Sequence, residues 1–503
     1  MSVNGALSRL AERFATAGFQ VYLVGGCVRD RLLGRPSADY DLATDAPPDE
    51  VKRLLNALPA EHVWTVGERF GTIGAHVDGV TVEITTFRSE EYTPRSRKPA
   101  VRFGTTLEGD LARRDLTINA IAEDLRTEAL VDPFGGVRDL HACLVRAVGK
   151  ADERFAEDPL RLLRAVRFVA QLNFRLDPET AAAIGRSADL LADISRERIA
   201  QEMDKLLVAP GAAHGLRLLC DLGLMRHIVP EILAMRGMRQ DIYRYKDVFE
   251  HTLHVVDNIE PELVLRWAAL LHDVGKPRTI NNVNGETHFF GHEFVGEGMS
   301  RRILNRLRYD RALVGRVTHL VAMHQRINNY EGDWTDAAVR RFMREADDAL
   351  DNLFLLSRAD LTTRREDKRR AAIRRLEELR ERCDAIRARE DVAKLRSPLD
   401  GNDLMALFGQ GPGPWIRPIK DRLLDLVVEG ELAEDDRATA EGIAREMYAA
   451  LSAGDSATAE RAGNPAGVMA QDQAEDAREL PGIAAPPADA AAGQRAAPSA
   501  KAR

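Results

Sequence analysis

The sequence is short of several things, and each shortage argues against a class of protein. Its 503 residues hold only four cysteines, Cys27, Cys143, Cys220 and Cys383, far apart and without paired spacing. A disulfide scaffold and a thiolate zinc site are therefore not expected. No apolar run approaches the roughly 18 residues that a membrane-spanning helix needs, so no membrane partner is expected. The first residues, MSVNGALSRLAERF, lack a basic start followed by an apolar core, and we expect a cytoplasmic protein. Aromatic residues make up 6% of the chain and are absent after Tyr448, where Ala, Gly and Pro dominate. A segment so composed cannot bury enough apolar surface to offset its ordering entropy, and 451–503 reads as a disordered tail. Excess positive charge is lacking too: 71 basic against 79 acidic residues give a net charge of −8. Any attraction to nucleic acid must then be local, as over 358–396, where 14 basic side chains face 9 acidic ones. Such a stretch is equally well a solvated helix face laced with ion pairs.

What the chain does have is the balance of a folded protein, with 45% hydrophobic and 30% charged residues. Its length suggests about three domains at roughly 150 residues each. Residues 19–87 alternate short apolar runs (FQVYLV, TIGAHV, VTVEITTF) with helix-like pieces and Gly/Pro punctuation, the pattern of a small mixed α/β domain. Strands are expected to end near Val148. From Ala151 the period turns helical, as in PLRLLRAVRFVAQL and SRERIAQEMDKLL, and no strand is expected afterwards. A break near Met235 precedes a His-rich helical block.

The first chemical constellation is VGGCVRD over 24–30, a strand running into two glycines and then a helix that carries Arg29. Paired glycines let backbone amides approach a polyphosphate, and an arginine one turn on can clamp it. Alone this is more often plain connection geometry. Asp39 and Asp41 follow, flanking Tyr40 in a strand-like segment whose period of two places both carboxylates on one face. Adjacent acids repel unless a cation sits between them, so a divalent metal site is the economical reading, against a merely solvated loop. A phosphate-cradling turn next to paired aspartates describes two-metal nucleotidyl transfer. Glu83 is a further strand carboxylate whose role the sequence leaves open.

These strings, taken in order, resemble the class II tRNA nucleotidyltransferases of the polymerase-β-like superfamily, the CCA-adding enzymes and bacterial poly(A) polymerases. The resemblance covers most of 19–450 and rests on GGCVRDRLLG (25–34) with DYD (39–41), EITTFR (83–88), RRDLTINA (113–120), DPFGG (132–136), EDPLRLLR (157–164) and RERIAQE (196–202). Leu116 departs from the phenylalanine common there. The resemblance implies that Gly26 and Arg29 contact the triphosphate, that Asp39 and Asp41 are catalytic and hold Mg2+, and that Arg114 helps bind the nucleotide. It further implies that Asp158 and Arg161 read the base, with Arg164 and Arg167 contacting phosphate or sugar. Chemistry agrees: a carboxylate accepts from an exocyclic amine while a guanidinium donates to a ring nitrogen, the order that cytosine and adenine present. Three apart on an expected helix, Asp158 and Arg161 should share a face, although without the other motifs a surface ion pair is the plainer reading. The polar loop SEEYTPRSRKPA (89–100) resembles a family loop implicated in switching from C to A addition, which favours full C-C-A activity.

The His-rich block holds VFEHTLH (248–254), AALLHDVGK (268–276), HFFGH (288–292), His324 and SRAD (357–360). Imidazoles and carboxylates gathered from successive helices are the ligand set of a divalent metal hydrolase. The block resembles the HD phosphohydrolase superfamily. That implies His251, His272, Asp273 and Asp360 as ligands of one ion of unknown identity, with His292 and His324 for a second, and hydrolysis of phosphomonoesters or cyclic phosphodiesters.

The expected architecture is thus α+β. A small mixed α/β nucleotidyltransferase head (1–150) precedes an all-helical neck with the base-reading helix (151–235), an HD domain (236–365), a helical tail contacting tRNA (366–450) and the disordered end (451–503). The expected activity is template-independent addition of C, C and A to tRNA from CTP and ATP, with tRNA as macromolecular partner and no protein partner implied. Poly(A) addition, or an HD hydrolase with an RNA-binding head, are the alternatives.

Overall fold

The computed structural model describes residues 3–37, 39–58, 60–91, 100–104, 106–239, 247–283, 286–362, 365–389 and 396–452. These form two compact units dividing between Ala393 and Lys394.

The first unit opens with α1 (Val3–Thr16), β1 (Val21–Val24), α2 (Gly26–Leu32), β2 (Asp39–Thr44), α3 (Pro48–Asn56), β3 (Ala60–Trp64), β4 (Thr72–Val77), β5 (Val80–Thr86), β6 (Arg88–Glu91) and β7 (Ala100–Phe103). It continues through α4 (Leu107–Ala112), β8 (Ala122–Asp124), β9 (Leu130–Val131), α5 (Gly136–His141) and β10 (Leu144–Val145). Seven of the strands make one mixed sheet in the order β3-β4-β5-β2-β1-β8-β9. Within it β2 and β5 run parallel, and β1 lies antiparallel between β2 and β8. Alternation decides what each face carries. Along β5, Val80, Val82 and Ile84 are buried while Thr81, Glu83 and Thr85 take the other face.

The helical body runs α6 (Ala151–Glu157), α7 (Leu160–Leu172), β11 (Arg175–Leu176), α8 (Pro178–Ser187), α9 (Arg196–Leu207), α10 (Ala212–Asp221), α11 (Met225–Ile228), α12 (Val248–Asn258), α13 (Leu263–Leu271) and α14 (Lys276–Thr279). After the hairpin β12 (Asn281–Val283) and β13 (Glu286–His288) come α15 (His292–Arg306), α16 (Arg311–Asn328), α17 (Asp336–Ala346), α18 (Leu350–Asp360) and α19 (Glu366–Arg389). Most of α7 is buried, its apolar residues packed on α9 and α10 while its arginines turn to one side. Asn173 takes a left-handed φ of 58° and ends it. Capping starts several others: Asp177 accepts from Thr180 N before α8, and Asp247 from Glu250 N before α12.

The sequence reading places no strand after Val148, yet three occur. β11 pairs in parallel with β10, and Asn281 opposes His288 in the β12–β13 hairpin. Strands of two or three residues are too short to display a period of two, and what makes them strands is the partner across the ladder.

The second unit contains α20 (Gly401–Phe408), α21 (Ile416–Glu429) and α22 (Arg437–Ser452). Leu404, Ile419, Leu423, Val427 and Ala444 form its core, and Phe408 stacks on Tyr448 with centroids 4.1 Å apart. A reciprocal Asp400–Asp403 capping box starts α20. Residues 92–99 of the polar loop and 453–503 of the expected tail lie outside the described residues. Among the described residues no helix is long and apolar enough to cross a membrane.

Candidate active site

A cleft of about 560 Å³ opens between the head sheet and α7. Its lining brings together Gly26, Arg29, Asp41, Arg114, Asp158, Arg161, Arg164 and Arg167, residues separated by up to 141 positions in the chain (167 − 26). Seven arginines line it (Arg29, 113, 114, 161, 164, 167 and 198) against three carboxylates, Asp41, Asp115 and Asp158. A molecule of net charge −8 thus concentrates positive charge where a polyphosphate would lie.

Each head residue is placed by a local rule. β1 ends at Val24 and Gly25 turns the chain with φ 78°; a Cβ there would come within 2.7 Å of Arg114 Nη1. The backbone conformation calls for glycine, and any side chain there would have to displace the end of Arg114. Arg29, one turn into α2, is buried; its guanidinium donates to Asn119 Oδ1 at 2.6 Å and to Asp30, and lies 4.9 Å from the Phe168 ring centroid. Arg164 and Arg167 approach the same ring at 5.7 and 4.2 Å, so Phe168 separates three cations. Arg113 and Arg114 are both held by buried Asp110.

Asp39 and Asp41 lie two apart on β2 and share a sheet face, as the spacing predicts, and parallel pairing sets Glu83 of β5 opposite Asp41. Asp39 is exposed beside the cleft rather than lining it. Crowding by protein raises the Asp41 pKa, against the pull of Arg114 and with a push from Asp39; Glu83 is raised by desolvation and by both aspartates. Three carboxylates gathered on one face of the sheet are a suitable oxygen donor set for a hard divalent cation.

The base-reading pair is arranged differently from expectation. Asp158 and Arg161 do not share a helix: α6 ends at Glu157, Asp158 is extended (φ −140°, ψ 100°), and α7 starts at Leu160. Pro159 is the cause, since the residue before proline is driven out of the α region. The two side chains nonetheless line one cleft. Arg198 of α9 donates to Asp158 Oδ2 at 2.9 Å, and Leu160 N to Oδ1 at 3.2 Å. Arg161 donates to Glu157 at 2.7 Å and to the carbonyls of Arg154 and Arg113. A guanidinium has five donor hydrogens and a carboxylate about four acceptor sites, so both retain capacity for a ligand.

Sequence reasoning missed the residues that tie the two walls together. Arg164 Nε donates to Asp115 Oδ2 at 2.7 Å, Asn119 donates to Asp115 Oδ1 at 3.1 Å, and Asn119 in turn receives Arg29. Burial alone would raise the Asp115 pKa; the Arg164 charge and the donations from Asn119 and Arg164 outweigh it and hold it low. Arg167 pairs with Glu202 of α9 at 2.9 Å. Asp115, Asn119, Arg198 and Glu202 all lie inside motifs noted in the sequence, which was the available signal; nothing local marked Phe168.

The His-rich block forms a second cluster. Ligand atoms of His251, His272 and Asp360 converge within 4.8 Å, as do those of Asp273, His292 and His324. Asp273 joins the groups: Oδ2 is 3.2 Å from His272 Nε2 and 3.4 Å from His251 Nε2, while Oδ1 is 3.4 Å from His292 Nε2. The imidazoles are oriented from behind. Nδ1 of His272, His292 and His324 faces the carbonyl of Ala269, Phe289 and Val321 at 2.7 to 2.8 Å. A carbonyl only accepts, so each Nδ1 carries hydrogen and each Nε2 is turned inward, where it can offer a lone pair whenever the ring is neutral. Nε2 of His292 and His324 face each other at 3.3 Å. That spacing suits two imidazole donors to a shared cation. Burial and the nearby His272 push His324 down to about 3, keeping it a neutral donor. Against burial, His272 and Lys276 hold Asp273 well below the usual range, and His251 does the same for Asp360. Asn328 also donates to Asp360 Oδ2 at 2.9 Å.

Fold and cleft together point to a class, nucleotidyltransferases with a polymerase-type head and a helical domain carrying groups that could hold a metal ion. Residues 21–146 match the family described as Poly A polymerase head domain, 173–235 a probable RNA and SrmB-binding site of polymerase A, and 248–365 the HD domain. A CCA-adding enzyme of Geobacillus thermodenitrificans is 43% identical over 265 residues, 51% of this chain but only 60% of that one. The A-adding tRNA nucleotidyltransferase of Deinococcus radiodurans is 34% identical over 432 residues, 83% of this chain and 94% of its own. The crystal structure of the Bacillus stearothermophilus CCA-adding enzyme in complex with CTP superposes with a TM-score of 0.64 at 28% identity, over 90% of this chain and 100% of that one. The chain belongs to this family, the tRNA nucleotidyltransferases that include CCA-adding and A-adding enzymes.

Proposed function

We propose that this chain completes tRNA 3′ ends in the cytoplasm by adding C, C and A from CTP and ATP without a nucleic acid template. The observation that carries the reading is the single cleft shared by Asp41, Arg29 and Arg114 at one end and Asp158 and Arg161 at the other. Asp39 and Asp41 hold Mg2+, which when bound neutralises triphosphate charge and lowers the pKa of the attacking ribose hydroxyl. Gly26 leaves room for the phosphates, and Arg29 and Arg114 balance their charge. Arg164 and Arg167 contact sugar or phosphate beside Phe168. Asp158 accepts from the exocyclic amine of cytosine or adenine while Arg161 donates to the ring nitrogen; uracil and guanine present the opposite order and are refused. Residues 1–150 serve as the catalytic head, 151–235 as the neck, 236–365 as the HD domain and 366–450 as the tRNA-contacting tail. That tail takes the RNA backbone rather than its bases, because all tRNAs must be accepted.

The HD cluster is a second centre, a divalent-metal phosphohydrolase acting on phosphate-bearing RNA 3′ ends. His251, His272 and Asp360 hold one ion, His292 and His324 a second, and Asp273 spans them. A bound ion there supplies an activated water and polarises the phosphoryl group. Asp41→Ala should abolish nucleotide addition and spare hydrolysis, and His272→Ala should do the reverse. Loss of both activities in either variant, with circular dichroism unchanged, would mean that the centres are not separate. The 34% relative from Deinococcus supports one rival, addition of the terminal A alone.

A further inference from the structure

Two phenylalanines beside the HD cluster are left in water, and neither centre has used them. Phe290 and Phe294 are 72% and 68% exposed, two residues to either side of the ligand His292. The Phe290 ring stacks on His288 with centroids 5.0 Å apart and planes at 8°. The β12–β13 register, Asn281 opposite His288, brings the end of α14 to the same edge, with exposed Arg278 and half-exposed Ile280. Nor is this edge loosely attached to the metal ligands. Gly275, two residues after Asp273, packs so closely on α15 that a Cβ would lie 2.2 Å from the His292 carbonyl. His292 Nδ1 is bonded to the Phe289 carbonyl, so the same turn presents an imidazole to the cluster and aromatic rings to solvent.

We infer that Phe290 and Phe294 form a nucleobase platform for the HD centre, stacking the terminal base of a single-stranded RNA 3′ end whose phosphate lies at the cluster. Exposed aromatic faces beside a cation are the elements of sequence-tolerant single-strand binding, because every base has a π-face. The planar His288–Phe290 stack is extended by one more ring when a base lies on it, and Arg278 supplies charge toward the backbone phosphate. The inference rests on reading the cluster as a phosphohydrolase. In that reaction water adds to phosphorus of a 2′,3′-cyclic phosphate, one ribose P–O bond breaks, and the freed ribose oxygen takes a proton from the water.

The test uses the full chain with a divalent metal (Mn2+, Ni2+ or Co2+) and three substrates. These are an oligoribonucleotide ending in a 2′,3′-cyclic phosphate, free adenosine 2′,3′-cyclic phosphate, and glycerol 1,2-cyclic phosphate, which has no base. Phe290→Ala/Phe294→Ala should raise KM for both nucleoside substrates about 10- to 100-fold. Its kcat, its hydrolysis of the glycerol ester and its nucleotide addition should be unchanged, and Phe290→Trp should retain the low KM. A preference for the oligonucleotide over the free nucleotide would mark the RNA end as the source. Equal changes on all three substrates, or none, would overturn the platform, as would an altered oligomeric state with unaltered KM, which gives the patch to a second copy. Should no substrate be hydrolysed with any metal, the hydrolase reading fails by itself. The platform is then judged by calorimetric titration of the oligoribonucleotide, where a binding site absent from the double variant upholds it and identical isotherms reject it.

Discussion

Asp115 touches both walls of the cleft without facing solvent, since Arg164 and Asn119 take its two oxygens and Asn119 passes the connection to Arg29. Replacing it with asparagine leaves Arg164 without its buried counter-charge, and we expect a loss of about 3 kcal/mol in stability at pH 7 by chemical denaturation. The sign with pH follows from its depressed pKa. The stability gained is complete above the ordinary carboxylate range near 4 and is lost as pH falls toward the folded-state value, so wild type and Asp115→Asn should converge in acid. A constant difference down to pH 2 would contradict the charge argument. Gly25 offers a finer test. Alanine must take φ 78° with ψ −132°, a region left almost entirely to glycine, and meets the far end of Arg114, so the expected cost in stability is roughly 1–3 kcal/mol. The displaced guanidinium should also weaken nucleotide binding, seen at a temperature where the variant is still folded as a KM for CTP and ATP raised about tenfold. An unchanged KM would remove Arg114 from the nucleotide site.

Among the secondary-structure elements, legibility followed length. The strand β2 and the core helix α7 announce themselves by period, and the aspartates of β2 share a face because strands alternate. What the pattern misjudged was the junction of α6 and α7. There EDPLRLLR reads as one helical run, but Pro159 expels Asp158 from the helix, so Asp158 meets Arg198 of α9 while Arg161 stays with Glu157. That partner choice depends on how α7 packs against α9, which spacing alone does not encode. The histidines were legible as candidate ligands from their types, while the position of Asp273 between the two groups needed α13, α15 and α16 in space. Because α12, α13, α15, α16 and α18 or their ends all contribute to the cluster, a metal bound there crosslinks the folded state only. Adding Mn2+ at 100 times its Kd should stabilise by about 2.7 kcal/mol, raising Tm by a few degrees, and EDTA should reverse it. His272→Ala should lose the response, and a metal shift that persists in that variant would place the ion elsewhere.

For the molecule as a whole, the net charge of −8 and the arginine-lined cleft belong together, since positive charge gathered in the cleft attracts a polyphosphate that the net charge would repel. The sequence conveyed the α/β head, the helical body and two groups of candidate site residues, because each depends on composition, period or an uncommon motif. It could not convey that Asp41 and Asp158 line the same cleft, for that follows from the packing of the head sheet and α7. Nor does similarity decide the extent of addition, with a CCA-adding and an A-adding enzyme both among the relatives. The decisive measurement is nucleotide incorporation by the purified chain with Mg2+, CTP and ATP on two tRNAs, one lacking all three terminal nucleotides and one lacking only the last. We expect both to be extended to C-C-A and then to stop, with UTP and GTP refused. Extension of the second tRNA alone, long adenosine tracts, or no incorporation at all would contradict the account.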